Sequence, residues 1–259
     1  MNDLLQPFSL EGKVTLITGA SSGLGKQFAL SMAEAGATVV IAARRMERLQ
    51  ALAADIENKG GRAMPVALDV TDNNNIEAVL DAVESQLGCV DVLVNNAGIG
   101  NTQPFLEMSE ESWDEMMDTN LKSVWRLSQA FSKRLVKAEK SGSIINIASI
   151  LGLRGAAQMC HYATAKAGVV HLTKVLALEL ARHQIRVNAI APGYFCTEMN
   201  EDVLATEKGQ AYVVQKVPMR RLGQTHELVG PMLLLASDAG SFMTGAVIPV
   251  DGGHVINSL

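Results

Sequence analysis

Short, nearly continuous apolar runs recur along the chain at Val14 to Thr18, Thr38 to Ala42, Ala63 to Leu68, Val90 to Val94, Ser143 to Ala148, Ile185 to Ala191 and Ala246 to Val250. They do not alternate with polar residues, which is the pattern of strands covered on both faces in a parallel sheet. Longer segments with apolar positions at helical spacing separate them. These run from a glycine-rich turn to Ala35, Met46 to Asn58, Asn73 to Leu87, Glu110 to Ala138 with a break expected near Thr119 and Asn120, and about Gln158 to Leu180. The alternation predicts an α/β fold over residues 1–259: one doubly wound parallel sheet of about seven strands, with helices on both faces. Between Pro192 and Leu222 the alternation lapses. This segment follows a strand's carboxyl end, the side where open α/β sheets bind ligands, and is expected to be a substrate lid. An ordinary helical excursion or a subunit contact is the other reading.

The turn after the first strand reads Gly19-Ala20-Ser21-Ser22-Gly23-Leu24-Gly25 and leads into a helix. Glycines there let a backbone approach the pyrophosphate of a dinucleotide, and the helix start offers free N–H groups and a positive dipole end. At the end of the second strand, where an NAD site places an acid on the ribose, the chain has Ala42-Ala43-Arg44-Arg45. A guanidinium fork suits a 2′-phosphate, so NADP(H) is expected to be preferred, with NAD(H) also usable. The other reading has Arg44 and Arg45 merely opening a solvated helix. Asp69, followed by Val70, stands where a carboxylate meets an adenine amino group, or where it caps the next helix. Asn95-Asn96-Ala97-Gly98 either meets the cofactor or forms a turn.

Tyr162 and Lys166 are four apart on the expected helix and so share a face. An ammonium beside a phenol, which ordinarily titrates near ~10, favours the phenolate and readies the group for proton exchange with an alcohol or carbonyl. Ser149 ends a strand and can hold its hydroxyl over the same spot. Alone, such a pair fits a solvated helix face equally well.

Composition adjusts this picture at a few points. Aromatic residues are only 4% of the chain against 48% hydrophobic overall, so the core should be aliphatic. A net charge of -5 argues against a nucleic-acid partner. The three cysteines, Cys89, Cys160 and Cys196, lack metal-ligand spacing and read as reduced thiols, and His161, His171 and His183 lack it too, so no metal is expected. No signal pattern opens the chain and no apolar run reaches spanning length, so a soluble cytoplasmic protein without a membrane partner is expected.

Together the motifs resemble the short-chain dehydrogenase/reductase family in its single-domain branch, over essentially the whole chain. They are Thr18-Gly19-x-x-x-Gly23-x-Gly25, Asn95-Asn96-Ala97-Gly98, Asn120, Ser149, Tyr162-x-x-x-Lys166, Pro192-Gly193 with Thr197, and Asp251-Gly252-Gly253. The resemblance implies a Rossmann-type fold and reversible hydride transfer between a nicotinamide cofactor and an alcohol or carbonyl. It implies Tyr162 as acid/base, Lys166 on the ribose hydroxyls, Ser149 on the reacting oxygen, and Asn120 keeping a water near Lys166. Gly19, Gly23 and Gly25 would admit the pyrophosphate beside Ser21, Ser22 and Leu24. Asn96, Ala97, Gly98, Pro192, Gly193 and Thr197 would complete the cofactor cleft. A basic residue found in the glycine loop of some NADP-using members is replaced here by Ser22. The expected substrate lining (Ile150, Leu151, Leu153, Met159, Tyr194, Phe195, Met199) is mostly apolar, with Arg154 and Gln158 as polar options. It suits a ketone, a 3-oxoacyl thioester or an apolar secondary alcohol better than a free sugar. The other functions weighed are an NAD-dependent alcohol or polyol dehydrogenase and a cofactor-sensing regulator, which would have lost Tyr, Lys or Ser. Apolar residues around much of the Tyr162 to Leu180 helix, with the family's habit, imply a homotetramer.

Overall fold

The computed structural model describes residues 4–198 and 200–257. Seven strands, β1 (Val14–Thr18), β2 (Thr38–Ala43), β3 (Arg62–Ala67), β4 (Val92–Asn95), β5 (Gly142–Ile147), β6 (Ile185–Pro192) and β7 (Val247–Val250), form one sheet. Their order is β3-β2-β1-β4-β5-β6-β7, and every pairing is parallel. The helices are α1 (Gly23–Glu34), α2 (Met46–Asn58), α3 (Asn73–Leu87), α4 (Glu110–Met117), α5 (Ser123–Lys137), α6 (Cys160–Leu180), α7 (Glu201–Leu204), α8 (Glu207–Lys216) and α9 (Val229–Ala236).

The apolar runs divide by parity, as a pleated strand requires. Ile17, Ile41, Val94 and Ile145 pack with Phe28 and Met32 of α1, Leu49 and Ile56 of α2, and Met232 and Leu235 of α9. Their immediate neighbours Leu16, Val40, Leu93 and Ile144 face Ile76 and Leu80 of α3 and Leu127, Phe131 and Leu135 of α5. Each such side chain contributes about 1.5–3 kcal/mol by leaving water. Strand order reverses between β1 and β4, which opens a crevice at their carboxyl ends.

Element boundaries differ from expectation for local reasons. The helix expected over residues 110–138 is two helices joined by one π-helical turn, Asp118–Lys122. The cause is Asn120, fully buried, whose amide donates to Ile99 O (2.8 Å) and accepts from Ile99 N (2.9 Å). Drawing it inward inserts an extra residue into the helical ladder. The helix expected from Gln158 starts at Cys160, since Gln158 has φ +62, outside the helical region. β4 begins at Val92, two residues later than expected; Asp91 just before it already meets β1 twice, its N–H donating to Val14 O and its carboxylate accepting from Val14 N, both at 2.8 Å. The segment after β6 carries α7 and α8, and Leu204, Val213 and Val217 make a small core of their own under Tyr194 and Leu222.

Candidate active site

Thr18, at the end of β1, ties the crevice together. Its hydroxyl donates to Val94 O (3.3 Å) and accepts from Asn96 N and Ala97 N, both at 3.0 Å. Asn96 answers with its side-chain amide, which donates to Thr18 O (2.9 Å) and Gly19 O (3.2 Å). The glycine loop and the turn after β4 therefore form one laced unit, and Asn96 serves it as a brace, its amide already engaged. Gly19 has φ +65, and a methyl on Gly25 would run into the Gly19 carbonyl and lie 2.5 Å from the Asn96 amide nitrogen. Ser22 precedes α1 without capping it by a side-chain bond, so the first N–H groups of the helix face the crevice mouth available to an anion. A pyrophosphate fits this cradle of bare backbone. Leu24 packs into the core, and Val70 is buried there too, leaving its backbone for any cofactor contact.

At the adenine end the structure separates the two arginines. Arg45 donates from Nε and Nη2 to Ser21 Oγ (3.2 and 3.0 Å) and from Nη2 to Ser22 Oγ (2.9 Å). Arg44 is exposed on the other side, beside Asp69. Asp69 is not the cap of α3. That cap is Asp72, which accepts from Asn74 N and Asn75 N. Asp69 instead accepts from the Thr71 hydroxyl (2.7 Å) and Thr71 N (2.9 Å), and those bonds, then Arg44, hold its carboxyl below the usual range.

The groups expected to react gather between the end of β5 and the first turns of α6. Ser149 Oγ accepts from Leu151 N (3.1 Å), which fixes the hydroxyl at the head of a 3-10 turn, Ile150–Gly152. The Ser149 hydroxyl neighbours the Tyr162 phenol and favours its ionised form. Lys166, 5% exposed, donates to Ile147 O at 2.8 Å, with its nitrogen 5.8 Å from the centre of the Tyr162 ring. Burial brings the ammonium down to about 8, and burial pushes the phenol above its ordinary value although Ser149 pulls the other way. The expected lowering of the phenol is therefore absent in the chain alone. The same desolvation that disfavours the ammonium disfavours the phenolate, and it exceeds the pull of Ser149. Gly98 joins the two halves: a β-carbon there would stand 3.1 Å from Asn120 Oδ1 and 3.8 Å from Lys166 Nζ.

The predicted lining is only partly a wall. Ile150 is buried beneath Gly193, and Phe195 is packed in the core against Gly223, so both are mostly core. Leu153 is exposed and Met199 lies outside the described residues. Leu151 and Met159 flank the site, buried and half-buried. Tyr194 stacks edge-on against His254 (5.2 Å) and Tyr212 (6.0 Å), and burial pushes its phenol up. His254 is buried, its Nδ1 lacks a partner among the described residues, and burial first, then Arg154, holds its imidazole below the usual range. Arg154 donates to His254 O at 2.6 Å.

Sequence reasoning placed Thr18 in the glycine-loop motif without giving it a role, and missed Gly152, Arg48, Glu198, Tyr212 and His254 as contributors. Gly152 alone left a usable signal, as a glycine three residues past Ser149. A methyl on it would lie 2.7 Å from the Lys166 carbonyl. Pro192 ends β6 beside Val250, and Thr197 donates its N–H to Asn200 Oδ1 (2.8 Å) facing Gly23. Among the described residues no group of His, Cys, Asp and Glu is arranged to hold a metal, and no helix is long and apolar enough to cross a membrane.

A family model described as enoyl-(acyl carrier protein) reductase matches residues 19–255. The chain is 42% identical over 247 residues to a 3-oxoacyl-[acyl-carrier-protein] reductase FabG of Thermotoga maritima, covering 95% of this chain and 99% of that one. It is 39% identical over 255 residues to a 2-dehydro-3-deoxy-D-gluconate 5-dehydrogenase of Escherichia coli, covering 96% and 98%. Among solved structures, a gluconate 5-dehydrogenase of Burkholderia cenocepacia in complex with NADP and tartrate superposes with a TM-score of 0.94 at 35% identity, covering 98% of this chain and 99% of that one.

Proposed function

Because the chain belongs to the short-chain dehydrogenase/reductase family, and so is an NAD(P)-dependent oxidoreductase of CH–OH groups, we propose that it interconverts a secondary alcohol and a ketone or 3-oxoacyl group with NADP(H) as preferred cofactor and Tyr162 as acid/base. The observation that carries this reading is the gathering of three groups: Ser149 held at the strand end by Leu151 N, the Tyr162 phenol beside it, and the buried Lys166 ammonium 5.8 Å from the phenol ring. A carbonyl oxygen placed between the two hydroxyls accepts from both. Those donors bind it more tightly as negative charge develops, which is where fixed dipoles accelerate a reaction. Tyr162 then passes its proton to that oxygen, and in the reverse direction takes it back. The described residues occupy one of the three protons of Lys166, through Ile147 O, leaving two donors for ribose hydroxyls and for the phenol's oxygen. Asn120, held by Ile99, would keep a water near Lys166 through its main-chain carbonyl. When bound, the nicotinamide supplies or accepts the hydride.

The adenine-end arginines support the preference for a 2′-phosphate, Arg45 more than Arg44 because it sits against the glycine loop. Residues 192–222 would act as the lid, with Tyr194 and Thr197 turned to the crevice. A second substrate reading, a hydroxylated acid such as a keto-sugar acid, is favoured by the Tyr194, Tyr212 and His254 cluster, which is more polar than the sequence led one to expect. Assembly as a homotetramer would cover Trp125 and Val136 of α5 and Val175 and Leu178 of α6, all exposed in the single chain. Unpaired Cys89, Cys160 and Cys196 accord with a cytoplasmic setting. The deciding experiment follows NADPH and NADH absorbance against simple ketones, 3-oxoacyl thioesters and keto-sugar acids. Reduction of the thioesters or ketones supports the first reading, of the sugar acids alone the second, and of none with either cofactor refutes both.

A further inference from the structure

The lid touches the cofactor cleft at one place that the proposed chemistry leaves unused. Thr197 stands 3.5 Å from where a β-carbon on Gly23 would be, and the next residue turns its carboxylate toward α2. Glu198 Oε1 lies 2.6 Å from Arg48 Nη1, and Oε2 lies 3.4 Å from Arg45 Nη1. Arg45 meanwhile keeps its other donors on Ser21 and Ser22. One guanidinium thus bridges the glycine loop and the lid, and two arginines converge on a single carboxylate from 150 or more residues away. Side chains on both sides of the pair are about half exposed, 48% and 50%. Ion pairs that open to water add about 0–1 kcal/mol to stability, so holding the fold together does not account for this one.

We propose that Glu198 is a specificity-determining residue of the cofactor cleft: it fills, as an anion carried by the lid, the arginine seat that a cofactor's 2′-phosphate must take. The inference rests on the reading of Arg45 as the phosphate-facing residue. A phosphate monoester brings about −1.5 to −2 charges and three acceptor oxygens. It enters against the carboxylate, by displacing it or by sharing the arginines with it. A cofactor with a free 2′-hydroxyl has no such competitor. Glu198 therefore narrows the gap between NADP(H) and NAD(H) and keeps the enzyme usable with both.

The test measures binding rather than turnover. Dissociation constants for NADPH, NADH and adenosine 2′,5′-bisphosphate are determined by calorimetry for the wild type, Glu198→Gln and Glu198→Lys. Neutralising the charge should tighten NADPH and the bisphosphate about threefold to fivefold, the factor equivalent to an exposed charge pair, with NADH within twofold. The lysine variant should move further in the same direction, and both gains should shrink in 0.5 M salt, roughly where screening falls to a few ångströms. A wild type that prefers NADPH while both variants match it overturns the role of Glu198. Weaker NADPH binding by Glu198→Gln also overturns it, since the carboxylate would then be organising the arginines. If all three proteins bind NADPH and NADH equally, the cofactor reading fails, and the competition with it.

Discussion

The two ends of the crevice are built on opposite terms. At the reacting end, Asn120, Ser149 and Lys166 are 0%, 7% and 5% exposed, and each is bonded to main chain: Ile99, Leu151 and Ile147. At the adenine end Arg45, Arg48 and Glu198 stand about half in water and bond to one another's side chains or to serine hydroxyls. A buried polar group pinned to backbone has no alternative partner, so losing it costs a full desolvation penalty. An exposed charge has water as a substitute and changes affinity by small steps. Under the proposed roles, the chemistry is thereby fixed and the cofactor choice adjustable within one cleft.

Breaking the fixed end should give the largest effect. Tyr162→Phe is expected to lower kcat by about 10³-fold, in the range for a positioned acid/base. NADPH affinity should stay within twofold of wild type by calorimetry. Residual turnover within tenfold of wild type would mean the proton comes from elsewhere. Asn120→Ala leaves the half-buried Ile99 N–H and C=O without their side-chain partner and should cost about 1–4 kcal/mol in urea unfolding, less than full burial at about 1–3 per group because water reaches them in part. An unchanged midpoint would show that another donor and acceptor step in.

Lys166 offers a pH signature. Its folded pKa of about 8 lies below the ordinary lysine value of 10.5, so between those values the unfolded chain holds more protons than the folded one. Stability of the cofactor-free protein should therefore rise with pH from about 8 to 10.5, by at most a few kcal/mol for this group. Lys166→Met should flatten that rise, and equal slopes for the two proteins would place the ammonium in water. The smallest change belongs to the adjustable end. Arg45→Ala should weaken NADPH about fivefold with NADH nearly unmoved, and Arg44→Ala less. The reverse ranking would make Arg44 the reader.

What the sequence disclosed, and what it did not, follows the range of the interactions. Strands were legible because parallel burial leaves continuous runs such as Leu16-Ile17, whose two faces the pleat then divides. Tyr162 and Lys166 were legible because a single helix sets their spacing. The sign of the phenol's shift was not, since four-residue spacing reports a charge but not how deeply it is buried. Asp69 read as a possible cap from its place after the strand, and the backbone turn instead gives that role to Asp72. Ile150 and Phe195 read as pocket wall in the sequence because an apolar side chain in a loop looks the same whether it meets ligand or core. Glu198 with Arg48 follows no periodicity at all.

Gly152 sits so tightly on α6 at Lys166 that the strand-end turn bearing the serine and the helix bearing the phenol behave as one casting. Their separation is set by main chain touching main chain, not by whichever residues furnish the opposite wall. On the proposed reading, replacing Met159, Tyr194 or Tyr212 would change which carbonyl compound is accepted while the proton's short route stayed the same length.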